Sequence, residues 1–249
     1  MEPSSLAILC LAAFATSVVS AVLGMAGGSM LLVVMLLYLD PVDAIPIHGI
    51  VQLTSNANRT LIHAKSLKKN LLLPFSLLVL PAGMLTLPLA QHAPAETLRL
   101  AIGVFVLVAT WQSRWLLLGL DPARVAERPR FALLGAVTGG LSPIVGATGP
   151  FIAPFFLGLN LTRFELIGTK AACQAITHLA KIVLFGIAGF AFAEFVPLML
   201  GMAACVVGGT YFGTRMLRKI DDSLFITLYK VALTAVAIRL ILSAVPVSF

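Results

Sequence analysis

Two sets of polar residues interrupt otherwise apolar stretches of the chain at the same spacing. The first is His48, Gln52, Asn56 and Arg59; the second is Lys170, Gln174, His178 and Lys181. Both follow i, i+4, i+8 and i+11, which places each set on one face of an α-helix. A single offset of 122 maps one set onto the other, residue by residue. The same offset carries Asp43 onto Glu165, and the turn Gly24-Met25-Ala26-Gly27-Gly28 onto Gly146-Ala147-Thr148-Gly149-Pro150. The stripes hold cations, imidazoles and amides but no carboxylate. That set suits an anion, which amides orient by hydrogen bonding and flanking cations attract.

The glycine turns add a second kind of anion ligand. Gly27, Gly28 and Ser29 open a helix, and a helix N-terminus presents unpaired N–H groups and a partial positive charge. Thr148 and Gly149 precede Pro150, a residue favoured in the first turn of a helix. The competing reading is that these glycines permit a tight turn and close packing. Ser55 and Thr177, also matched at 122, either add hydroxyls to the site or bond their own helix backbone. A free imidazole titrates near neutral pH, so His178 is expected either to carry a proton with the anion or only to donate a hydrogen bond. Arg59, Lys170, Lys181, Lys230 and Arg239 all lie inside apolar segments, where an unpaired charge costs at least ~2.5–3.5 kcal/mol. For Lys230 and Arg239 the favoured reading is snorkelling or lipid-headgroup contact.

The elements that position these residues belong in a membrane. The chain is 59% hydrophobic and 11% charged, with a mean hydropathy of +1.03, more apolar surface than a soluble protein of 249 residues can bury. Continuous rather than alternating apolar runs argue against a β-barrel. The net charge of +7 sits in short loops, which fits the positive-inside pattern rather than nucleic-acid binding. Cys10, Cys173 and Cys205 lack metal or redox spacing, and nothing calls for a cofactor. Glu2 replaces the basic region of a signal peptide, so the first apolar segment is expected to be a retained helix.

Apolar segments fall at about 6–23, 29–39, 45–64, 71–90, 99–118, 131–145, 151–161, 166–188, 192–214 and 223–245. The pairs 6–23/29–39 and 131–145/151–161 are each split by a glycine turn. Each is too long for one straight span and short for two, at ~1.5 Å per residue. Loop charge favours a hairpin for each pair. Lys65, Lys68, Lys69, Arg114, Arg124, Arg128, Arg130, Arg163, Arg215, Arg218 and Lys219 then share one face, leaving Arg99 at the other. The expected architecture is all-α and polytopic: two inverted repeats, each a short helical hairpin plus three spanning helices. The repeats are 1–118 and 131–249, joined by a cytoplasmic linker at 119–130, with both termini outside. Gln52, Asn56, Gln174 and His178 fall nearest mid-membrane, with Arg59 and Lys170 towards the cytoplasm and His48 and Lys181 towards the outside.

The Gly24-Met25-Ala26-Gly27-Gly28-Ser29 turn, the Asp43-Ala44-Ile45-Pro46-Ile47-His48 approach to the polar helix and the Gly146-Ala147-Thr148-Gly149-Pro150 counterpart resemble the sulfite exporter TauE/SafE family over essentially the whole chain. The resemblance implies a transporter of sulfite, related sulfur oxyanions or organosulfonates in the cytoplasmic membrane. Met25 and Ala26 depart from a fuller glycine run. Export by alternating access leads; organosulfonate uptake and a passive anion channel stay open, as does a homodimer. An intramembrane enzyme is disfavoured, because the stripes hold neither a nucleophile–base pair nor a metal-binding carboxylate.

Overall fold

The computed structural model describes residues 2–23, 27–216 and 222–244, and the regular structure in them is entirely helical. The first half of the chain holds α1 (Pro3–Leu23), α2 (Gly27–Met35), α3 (Pro41–Ile62), α4 (Lys69–His92) and α5 (Ala95–Trp111). The second holds α6 (Glu127–Val145), α7 (Gly149–Ile152), α8 (Arg163–Ile187), α9 (Val196–Met216) and α10 (Asp222–Ala244). Among the described residues, four segments are long and apolar enough to cross a bilayer: Pro3–Ala21, Lys69–His92, Arg163–Ile187 and Phe192–Arg215. The turn residues Gly24, Met25 and Ala26, and the basic Arg218 and Lys219, lie outside the described residues.

The two helix pairs differ from the expected short hairpin arms. Their first arms, α1 and α6, run for 21 and 19 residues, about 31 and 28 Å. The second arms are short: nine residues in α2, and four in α7 followed by a 3-10 turn at Ala153–Phe156. Pro154 lies in that turn, where its missing N–H prevents continuation of the α-helical ladder.

Close contacts fix the direction of each helix pair. On α6, Gly135 lies against the Phe75 carbonyl and Gly139 against the Val79 carbonyl, so α6 runs parallel to α4. On α9, Gly209 meets the Phe14 carbonyl and Gly213 the Val18 carbonyl, so α9 runs parallel to α1. Each pair uses two glycines four residues apart to bring backbones together, the small-residue packing that helices use in lipid. In contrast, α3 and α8 are antiparallel: Gly49 meets Lys181 and Ile182, while Gly168 meets His63. The pair α5 and α10 is antiparallel too, with Gly103 against Ala237 and Trp111 Nε1 donating to Thr234 Oγ1 at 2.8 Å.

Two helix starts carry ion pairs. Thr162 and Glu165 form a reciprocal capping box at the start of α8, and Glu165 also pairs with Lys68 at 2.8 Å. Asp40, the N-cap residue of α3, pairs with Arg99 at 2.6 Å. Buried Arg130 donates to the carbonyls of Val125, Ala123 and Leu157, tying the linker to the second half. Lys230 lies over the Trp111 ring, 5.2 Å from its centroid, and Arg239 is exposed.

Candidate anion site between two helix tips

Antiparallel packing of α3 and α8 brings their polar stripes face to face. His48 and His178, from opposite helices, stand edge to face with ring centroids 5.6 Å apart. Around them the C-terminal end of α1, the N-terminal ends of α2 and α7 and the segment before α7 converge on one small cavity. Its walls are Ser20, Gly28, Ser29, His48, Gln52 and Arg59 from the first half, and Ala147, Thr148, Gly149, Gln174 and His178 from the second. The free volume is about 10 Å³, close to what one water molecule needs. An oxyanion therefore enters only if the wall moves.

The two amides occupy similar places, one residue out of register with the offset of 122, which pairs Gly149 with Gly27. A methyl on Gly28 would lie 3.1 Å from Gln52 Oε1, and one on Gly149 would lie 2.6 Å from Gln174 Nε2. Each glutamine is thus laid over a bare glycine at the start of its own half's short helix. Neither amide is engaged by a protein hydrogen bond among the described residues, and both face the cavity. Ser29 Oγ, His178 Nδ1 and Arg59 Nε are buried with no partner among those residues. Buried polar atoms are nearly always paired, so unpaired ones gathered at one cavity mark a place for a polar ligand. No Asp or Glu among the described residues lines it.

The matched cations are already held by backbone. Arg59 donates to the Ser20 carbonyl at 2.9 Å and to Asn56 Oδ1 at 2.6 Å, and Asn56 Nδ2 donates to the Gln52 carbonyl at 2.8 Å. Lys181 donates to the Gly146 carbonyl at 2.9 Å. Ser20 and Gly146 stand at the C-terminal ends of α1 and α6, where orphan carbonyls and the helix dipole favour a cation. Gly146 caps α6 at φ = 70°, a conformation that favours glycine.

The structure sorts the residues singled out by sequence. Gln52, Gln174, His48, His178, Arg59, Gly28, Ser29, Thr148 and Gly149 meet at the cavity. Lys181 sits one contact behind it, through His48 at 3.4 Å. Asn56 is a bracket between Gln52 and Arg59, and Lys170 is buried on α8 away from the lining. Gly27 serves packing, since a methyl there would lie 2.0 Å from the Thr16 carbonyl. Thr177 bonds its own backbone at Cys173, while Ser55 Oγ is buried without a partner among the described residues. Ser20 and Ala147 line the cavity and were missed by the sequence reading. Ser20 carried a usable signal, because the offset of 122 pairs it with Ser142.

Neither the curated proteins nor the solved structures return a match to the chain. A family model does, over residues 9–240, and it describes the sulfite exporter TauE/SafE. With its apolar helices and polar core, the chain is a membrane protein that belongs to the TauE/SafE sulfite exporter family.

Proposed function

We propose that the protein is a secondary transporter that moves sulfite or a closely related sulfur oxyanion through the cavity between the two helix tips. The carrying observation is the cavity's chemistry: among the described residues, two amides without a hydrogen-bond partner, a hydroxyl, imidazoles and a guanidinium converge there with no carboxylate. An oxyanion supplies an acceptor for the two amides, Ser29 Oγ, His178 Nδ1 and Arg59 Nε, which have no partner among the described residues. Among the described lining residues Ala147 carries the one apolar side chain, which gives the carbon skeleton of an organosulfonate little to pack against there. Free volume for about one water favours a carrier that opens and closes over an open anion channel.

The architecture behind this function is an inverted repeat of 1–118 and 131–249 joined by the 119–130 linker. Three features support it: the offset of 122, the antiparallel runs of α3 against α8 and α5 against α10, and the exchanged pairing of α1 with α9 and α6 with α4. Such repeats in secondary transporters place the substrate at the repeat interface. The basic loops support a topology with the linker and the Lys65–Lys69 loop in the cytoplasm and both termini outside the cytoplasmic membrane. Export by alternating access is the direction of transport in this reading.

The test is flux through purified protein in liposomes across sulfite, sulfate, thiosulfate and sulfoacetate. Sulfite is expected to move fastest and with saturation. Equal, unsaturable movement of all four would replace the carrier with a channel, and a preference for sulfoacetate would replace the inorganic substrate with an organic one.

A further inference from the structure

One chain of side chains ties the two helix tips together. Lys181 of α8 donates to the Gly146 carbonyl at the end of α6, 2.9 Å away, and lies 3.4 Å from Nδ1 of His48 on α3. His48 Nε2 contacts the Gly28 carbonyl in the first turn of α2 at 2.8 Å. A carbonyl can only accept, so Nε2 carries the proton and Nδ1 is left to accept from the Lys181 ammonium. The chain thus runs from the tip of the second half, through α8 and α3, to the tip of the first. Lys181 is 1% exposed and His48 0%.

The matched cation also caps a helix-end carbonyl but, among the described residues, makes no bond to the other half. Arg59 donates to Ser20 and Asn56, both in its own half. The bridge is therefore a property of Lys181, not a consequence of the repeated pattern. Gly49 makes it possible. A methyl at that position would lie 2.9 Å from Lys181 Cε, so the bare glycine lets the lysine stem lie across α3.

We propose that Lys181 and His48 form a clasp between the helix tips which an oxyanion releases on entering the cavity. The release rests on the transport reading above; the clasp itself does not. His48 lines the cavity, and Lys181 is bonded directly behind it. A negatively charged oxygen accepts a hydrogen bond about twice as strongly as a neutral carbonyl. An anion that takes over the His48 proton loosens the Gly28 end, and Lys181, drawn after it, lets go of Gly146. The tips then part with the anion between them. A cavity that opens only when filled is what keeps a carrier from leaking, and a ligand shifts such an equilibrium only through contacts that differ between the two states.

Two measurements test this. In detergent without anion, the melting temperatures of Lys181→Met, His48→Leu and the double variant form a cycle. The clasp requires that the double variant lose little more than the worse single variant; additive losses would overturn it. In liposomes, Gly49→Ala displaces the lysine tip while keeping both donors. Sulfite flux in that variant is expected to lose saturation and to rise severalfold above wild type at high concentration, as the tips part unfilled. A coupled thermal cycle together with saturable, wild-type flux in Gly49→Ala would overturn release by the anion. If wild-type protein moves no sulfite while the thermal cycle is coupled, the transport reading fails and the tie between the tips stands.

Discussion

Arg59 and Lys181, which the offset of 122 pairs, each cap a carbonyl at the C-terminal end of the first helix of their own half: Ser20 for Arg59 and Gly146 for Lys181. The shared task is structural before it is electrostatic. Arg59→Leu strips the partner from Ser20 and from Asn56 Oδ1, and a buried group left unpaired costs about 1–3 kcal/mol. A melting temperature lower by several degrees is expected in detergent, along with weaker sulfite binding. Loss of binding with unchanged melting would make Arg59 a substrate cation alone.

Glycines at the site and glycines in the packing should fail differently. On Gly149 a methyl meets the flexible end of Gln174, 2.6 Å away; on Gly139 it meets the Val79 backbone carbonyl at 2.2 Å. Gly149→Ala is expected to weaken sulfite affinity with little change in melting. Gly139→Ala is expected to cost about 1–3 kcal/mol in stability by overpacking, with affinity kept in the folded fraction. Gly28→Ala, whose methyl stands 3.1 Å from Gln52 Oε1, should weaken affinity less than Gly149→Ala. Melting curves and binding isotherms on the same preparations separate the cases.

Orientation is checked by labelling single cysteines in intact cells with an impermeant reagent. Lys68→Cys and Arg124→Cys are expected to react only after the membrane is opened, and Gln91→Cys and Glu194→Cys without opening. Reaction of Lys68→Cys in intact cells would invert the assigned topology.

The polar stripes were legible in sequence because helical spacing and the offset of 122 are both properties of residue order. His48, Gln52, Gln174 and His178 meet as their shared helix faces require. Distance along the chain hid the rest. That Lys181 bonds Gly146 and reaches His48 depends on how α6, α8 and α3 cross, and on Gly49 leaving room for the stem. Asn56 and Lys170 share the same periodic faces as the lining residues, yet one is consumed by Arg59 and Gln52 and the other lies away from the cavity. Periodicity gives the face of a helix, not which turn of that face meets the cavity. The hairpin arms were misjudged in length for a related reason. Hydropathy marks where apolar residues stop, whereas α1 begins at Pro3, ahead of the apolar run.

Gln52 and Gln174 carry the central claim, because they are matched between the halves, face the cavity and are free of protein hydrogen bonds among the described residues. The direct measurement is sulfite flux in liposomes for wild type, Gln52→Leu and Gln174→Leu, each first shown to be folded. A hydrogen bond to a charged group is worth about 1.5–3 kcal/mol, or about ten- to hundredfold in affinity. Saturable wild-type flux is expected, with a loss of that size in each variant at low sulfite. Wild-type rates in both variants would remove the cavity between the tips from the transport path.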